Sequence, residues 1–152
     1  MWKVLTSAPV MERPSLPTGR RIYAVGDIHG RADLLAALFA RIDGDLKSRP
    51  IADAVQVFLG DYIDRGPNSR EVIDLLVARR KGHGVVLLKG NHEDYALRFL
   101  SEPALLSEWK NVGGLNTILS YGVNPTSRHD QKSQHRLATA LGHSMPDSHR
   151  RF

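Results

Sequence analysis

Ile22-Tyr23-Ala24-Val25-Gly26-Asp27-Ile28-His29-Gly30 decides how the rest of the chain is read. Four residues without charge or polar alternation read as a buried strand, Gly26 ends it, and Gly30 closes a loop carrying Asp27 and His29. A helical stretch over 32–43 follows, with Leu34, Leu35, Leu38, Phe39 and Ile42 on one stripe at spacings of three and four. The unit recurs twice. Ala54-Val55-Gln56-Val57-Phe58-Leu59 is a second strand, followed by a glycine-rich loop and a helix over 70–80 with Ser69 as its cap and Val72, Ile73, Leu76 and Val77 on its apolar face. Val85-Val86-Leu87-Leu88 is the third strand, leading through Lys89-Gly90-Asn91 into a helix over 92–100. Apolar strands alternating with amphipathic helices imply right-handed βαβ crossovers and a parallel sheet covered on both faces. Ligands of such sheets sit at the carboxyl ends of the strands.

Residues 1–19 form a proline-punctuated lead, expected to be extended and flexible. The core of the reading is 20–122. Beyond residue 100 the pattern changes to helix over 103–120, interrupted at Gly113-Gly114, and a turn at 121–125. Residues 123–152 read as a polar, basic tail with one weak helix near 131–141. Five basic residues (Arg128, Lys132, Arg136, Arg150, Arg151) against Asp130 and Asp147 place much of the net charge of +5 there, as a solvated face. No basic stripe is interleaved with aromatics, which argues against a nucleic-acid partner. No apolar run approaches the roughly 20 residues of a membrane span. With no cysteine there is neither a disulfide nor a thiolate site, and the expected compartment is the cytoplasm.

The three strand-to-helix loops carry the chemistry. They read Gly26-Asp27-Ile28-His29-Gly30, Gly60-Asp61-Tyr62-Ile63-Asp64-Arg65-Gly66 and Gly90-Asn91-His92-Glu93. Carboxylate oxygen suits hard divalent cations and imidazole suits Mn, Fe, Zn or Ni. Asp27 and His29, two residues apart at a strand end, project the same way toward one ion. Asp61 and Asn91 end the next two strands, and the flanking glycines allow tight turns and close approach to a phosphate. Taken singly, Asp-Ile-His is more often a turn, Asp-Arg-Gly a salt-bridged turn and Asn-His-Glu a helix start. Three such loops on consecutive parallel strands point instead to one metal-dependent site.

Together these blocks resemble the calcineurin-like metallophosphoesterases, and Gly60-Asp61-Tyr62-Ile63-Asp64-Arg65-Gly66-Pro67-Asn68-Ser69 looks like their phosphoprotein phosphatase branch. That branch holds serine/threonine protein phosphatases and bacterial symmetrical dinucleoside tetraphosphatases. Trp109 with Gly113-Gly114-Leu115-Asn116-Thr117-Ile118-Leu119-Ser120-Tyr121-Gly122 is similar to a stretch of bacterial members, with Val112 where a polar residue often stands. The resemblance implies an α/β fold, the βαβαβ parallel-sheet half of a four-layer αββα sandwich. It implies two divalent metals, manganese first among them, with Asp27 and His29 on the first, Asp61 bridging and Asn91 on the second. It further implies hydrolysis of a phosphomonoester of a phosphoprotein or nucleotide. Water held between the metals attacks phosphorus, His92 is the general acid, Asp64 orients its ring, and Arg65 holds phosphate oxygens.

The family pattern continues with two more metal histidines and a second arginine that have no match here, and Met145–Phe152 resembles the helix before the first of those strands. The expectation is a truncated N-terminal half that holds one ion at most and has weak or no activity alone; in a variant of this reading, a separately encoded C-terminal half completes the site. The alternatives are a dinucleoside tetraphosphate hydrolase and a non-catalytic phosphate- or partner-binding module. One sheet face is expected to be left uncovered. At about 25 cal/mol per Å2, several hundred Å2 of exposed apolar surface weighs heavily against a net stability of about 5–15 kcal/mol. A marginal, association-prone or partner-dependent chain follows. His129, His135, His143 and His149 are expected to be solvent-exposed rather than substitute ligands, and His83 a turn residue.

Overall fold

The computed structural model describes residues 15–82, 84–125 and 130–151. The readings of residues 1–14, His83 and His129 fall outside them. Three strands, β1 (Arg20–Val25), β2 (Asp53–Phe58) and β3 (Gly84–Leu87), form a parallel sheet in the order β1-β2-β3. They are linked by α1 (Ala32–Ser48) and α2 (Ser69–Arg80), and β3 runs into α3 (Asn91–Ser101). After a 3-10 turn at Pro103–Leu105 come α4 (Leu106–Asn111), α5 (Gly114–Ser120), α6 (Gln131–Ser144) and α7 (Asp147–Arg150).

The sheet is covered on one face. Gln56 and Phe58 are buried there, with Val25, Val85 and Leu87 packed against the helical core around Leu35, Val72, Leu76, Phe99 and Trp109. Strand alternation sends Ile22, Ala24, Val86 and Leu88 to the opposite face, where they are exposed, and Leu59 just past β2 is exposed with them. Coverage of both faces, read from the strand pattern alone, is therefore corrected. The uncovered face expected from the resemblance is the one observed.

Several local readings change for identifiable reasons. Leu34 is 55% exposed, because the buried stripe of α1 is centred on Ala32, Leu35 and Ile42 and leaves Leu34 on its flank. Ser69 opens α2 but caps nothing, since Asn68 occupies the cap position and Ser69 turns inward. Arg79 is buried. Its guanidinium is paired with Asp43, donates to Gln56 at 3.0 Å and lies 4.6 Å over the Phe39 ring, tying α2 to α1 and β2.

The segment after residue 130 keeps its charges in water, as Lys132, Arg136, Arg150 and Arg151 are exposed, but its apolar stripe is buried. Asp130 caps α6 through its carboxylate to Ser133 N, and Leu137, Ala138, Leu141 and Met145 join the core beside α3. His135 and His143 are exposed as expected. His149 is not. It is buried, with Nε2 3.0 Å from Asp74 Oδ1 and Nδ1 2.9 Å from the Tyr121 hydroxyl, which docks α7 on α2 and the end of α5. Among the described residues no helix is long and apolar enough to cross a membrane.

Candidate metal centre

The three strand-to-helix loops meet at the carboxyl ends of β1, β2 and β3, and backbone hydrogen bonds stitch them together. Ile28 N and His29 N both donate to Asp61 O, at 2.9 and 3.0 Å, and Gly30 N donates to Tyr62 O at 2.8 Å. Gly66 N returns to His29 O at 3.1 Å. This approach admits no side chain. A Cβ on Gly30 would stand 2.6 Å from Gly66 O, and one on Gly66 would overlap His29 O. Glu93 joins the third loop to the second. Its carboxylate accepts from the backbone N–H groups of Asp61, Tyr62, Ile63 and Gly90, at 2.9, 2.8, 3.3 and 2.9 Å. The Tyr62 hydroxyl donates to Leu88 O at 2.6 Å, and burial, followed by the nearby Glu93 charge, pushes that phenol well above its ordinary pKa.

Among the described residues, the non-glycine residues with positive φ are His29 (45°), Asp61 (54°), Asp64 (70°) and Arg65 (63°). Each is a residue singled out from the sequence. Left-handed backbone at such residues costs free energy and persists only where surrounding bonds enforce it.

His29, Asp61 and His92 converge, with ligand-competent atoms all within 4.8 Å of one another. His29 Nδ1 lies 2.9 Å from Ile63 O. A carbonyl only accepts, so Nδ1 carries the proton and Nε2 presents a lone pair. That Nε2 is buried without a hydrogen-bond partner, and Asp27 Oδ2 stands 3.5 Å away. A buried, orphaned imidazole lone pair beside carboxylates fits a divalent cation, with the second ring nitrogen anchored as metal-bound histidines require. Asp27 is exposed and stands beside this group, with its Oδ2 next to His29 Nε2. Asn91 is exposed at the first position of α3.

His92 is buried, and its Nδ1 is 2.7 Å from Asp64 Oδ2. Its ring meets that of His29 edge-on at 4.6 Å, and its Nε2 is 3.4 Å from Arg65 Nη2. Asp64 has no exposure at all. Its Oδ2 also accepts from Trp109 Nε1 at 2.8 Å, and its Oδ1 from the Thr117 hydroxyl at 2.5 Å. Arg65 N donates to Gly113 O at 3.3 Å, and its carbonyl accepts from Asn116 Nδ2.

A calcineurin-like phosphoesterase family model matches residues 20–147. The chain belongs to that family. Its ancestry is therefore that of the calcineurin-like phosphoesterases. It is 36% identical over 93 residues to the serine/threonine-protein phosphatase BSL2 of Arabidopsis thaliana, 60% of this chain and 9% of that one. It is 45% identical over 74 residues to a candidate serine/threonine-protein phosphatase of Schizosaccharomyces pombe, 47% of this chain and 22% of that one. A crystal structure of a candidate diadenosine tetraphosphatase aligns with TM-score 0.42 and 26% identity over 84% of this chain and 44% of that chain. The chain thus spans less than half the length of each of these relatives.

The sequence motifs contain Glu93, Trp109 and Thr117 but disclose no role for them, and Ser69, expected as a helix cap, turns into the core beside Asp64 instead. One signal was available. A tryptophan and a threonine must find partners for their N–H and O–H groups when buried. What no pattern discloses is that the partner is a carboxylate 45 and 53 residues earlier.

Proposed function

We propose that this chain hydrolyses phosphomonoesters, in the manner of serine/threonine protein phosphatases, at a centre built from Asp27, His29, Asp61 and Asn91, with His92 as general acid. The observation that carries the reading is the orphaned Nε2 of His29, held ready by Ile63 O beside Asp61 and Asp27. Divalent metals, manganese by preference, when bound there acidify a water for attack on phosphorus and neutralise phosphate charge.

The protein's own groups do the rest. Asp64 holds the His92 ring through Nδ1, which leaves Nε2 to give its proton to the leaving oxygen. His92 also belongs to the cluster of ligand-competent atoms. Its Nε2 lies 3.4 Å from the Arg65 guanidinium, so a phosphate held by Arg65 would also meet this ring, which supports the acid role. Arg65 supplies a guanidinium fork for phosphate oxygens.

The exposed apolar sheet face supports the further reading that this chain is weakly active alone and works with a second half. That half, in the same polypeptide or another, carries more metal ligands and covers the face. The lack of cysteine agrees with action in the cytoplasm.

Titration calorimetry with Mn2+ on the full chain tests the metal reading. One tight ion is expected, and it is lost in His29→Ala and Asp61→Asn. Unchanged binding in both variants refutes it. Slow aryl phosphate hydrolysis that disappears in His92→Ala supports the acid. Phosphopeptide binding with no turnover in the wild-type chain, retained in His92→Ala, would instead make the protein a binding module.

A further inference from the structure

Asp64 is a fully buried carboxylate, and such a group persists only when its oxygens are taken up by donors. Donor counting assigns the protons. The carboxylate only accepts, so Thr117 gives its one hydroxyl proton to Oδ1 at 2.5 Å, and Trp109 Nε1–H and His92 Nδ1–H share Oδ2 at 2.8 and 2.7 Å. Thr117 Oγ1 then accepts from Asp64 N at 2.9 Å and from the Ser69 hydroxyl at 2.9 Å. Asp64 sits at φ 70°, so both its backbone and its side chain are held by partners rather than by its own conformational preference.

Those partners come from one short segment. The left-handed turn at Gly113 (φ 103°) swings α5 back over α4, and Gly114 lies so close to the Trp109 indole that a Cβ would stand 2.5 Å from it. The same segment takes the Arg65 backbone through Gly113 O and Asn116.

We propose that Trp109 and Thr117 are positioning residues, which fix the Asp64 carboxylate through both its oxygens and thereby set the direction in which His92 Nε2 points. Neither touches the substrate. The proposal rests on His92 being the acid of the reaction. Its geometric core, that α4 and α5 orient the His92 ring, is testable without turnover.

The experiment uses the full chain labelled with 15N, in wild type and in Trp109→Phe, Thr117→Val and Thr117→Ser. Long-range proton–nitrogen spectra follow the His92 Nδ1–H, identified by its loss in His92→Ala. Trp109→Phe keeps the ring packing and Thr117→Val the shape, yet each removes one charge-assisted hydrogen bond from Asp64. Exchange of the His92 Nδ1–H with water is expected to quicken about tenfold or more in each, with circular dichroism unchanged, and Thr117→Ser restores the wild-type rate. Where the wild-type chain hydrolyses aryl phosphate, kcat falls in the same two variants and KM stays near wild type.

Unchanged exchange in both folded variants overturns the proposal. So does a Thr117→Ser chain as defective as Thr117→Val, which would make Thr117 a packing position. Should Trp109→Phe lose its fold, the valine–serine pair at 117 decides alone. A wild-type chain with no hydrolysis but a protected His92 Nδ1–H, released by the variants, sinks the acid reading and upholds the positioning one.

Discussion

The two sides of the sheet differ in how completely they are finished. At the carboxyl ends of the strands, three loops are bonded to one another so densely that Glu93 alone serves four backbone donors and glycines meet with no room for a methyl group. The one buried polar side-chain atom left over among the described residues is His29 Nε2, at the centre. On the outer face, Ile22, Val86 and Leu88 meet solvent at 40, 44 and 46% exposure. Among the described residues, the site end is closed except for one ligand atom, whereas the outer face leaves Ile22, Val86 and Leu88 in solvent. Substitutions at the site end therefore break many bonds at once, and those on the outer face break almost none.

Glu93→Ala probes that contrast hardest. It strips the acceptor from Asp61, Tyr62, Ile63 and Gly90 and leaves buried donors unpaired, a loss of about 3–5 kcal/mol in urea unfolding. Metal affinity should fall with it, since Asp61 at φ 54° is held by this clamp. A loss under about 1 kcal/mol would mean that the loops hold themselves. Gly66→Ala comes next. Its methyl group overlaps the backbone of His29 and Gly30, which cannot rotate aside, and about 2–3 kcal/mol is expected.

These two residues also mark what the sequence disclosed. Strands without polar alternation, each followed by a glycine, made the parallel sheet and the meeting of the three loops legible, because parallel strands put their carboxyl ends at one edge. Gly66, read as making room for a phosphate, instead makes room for the backbone of His29 and Gly30. The clamp and the brace were not legible. Glu93 reaches back about 30 residues to its partners and Thr117 reaches back 53, and pairings at that range depend on packing that no local period encodes. His149 was misjudged on the same ground, since a polar neighbourhood in sequence says nothing of Asp74 waiting 75 residues away.

His149 sits away from both regions and gives a smaller, pH-dependent effect. Burial, the largest cause, lowers its pKa from the ordinary 6.5; Asp74 acts in the opposite direction and Arg70 in the same one. The unfolded chain therefore takes up the proton first, and protonation favours unfolding. Stability is full above pH 6.5 and falls as pH drops from there toward the folded-state value, by less than about 1.4 kcal/mol per pH unit. Wild type should lose more stability than His149→Phe across this window when urea midpoints are compared. Parallel curves would mean that the ring keeps its ordinary titration inside the fold.

The smallest effect on stability belongs to the outer face, and it carries the other half of the contrast. Val86→Lys and Leu88→Lys replace side chains already in water, so no packing is lost, and unfolding free energy should stay within about 0.5 kcal/mol of wild type. A lysine stem lies readily along an apolar sheet while its ammonium stays hydrated. Self-association is what should change. A contiguous apolar face drives sheets together, and two charges in its middle oppose that, so light scattering should show less association in the double variant than in wild type. If both lysines instead cost several kcal/mol in a monomeric chain, the face is covered in solution by this chain's own residues. The comparison between a finished site and an open sheet would then fail at its simpler end.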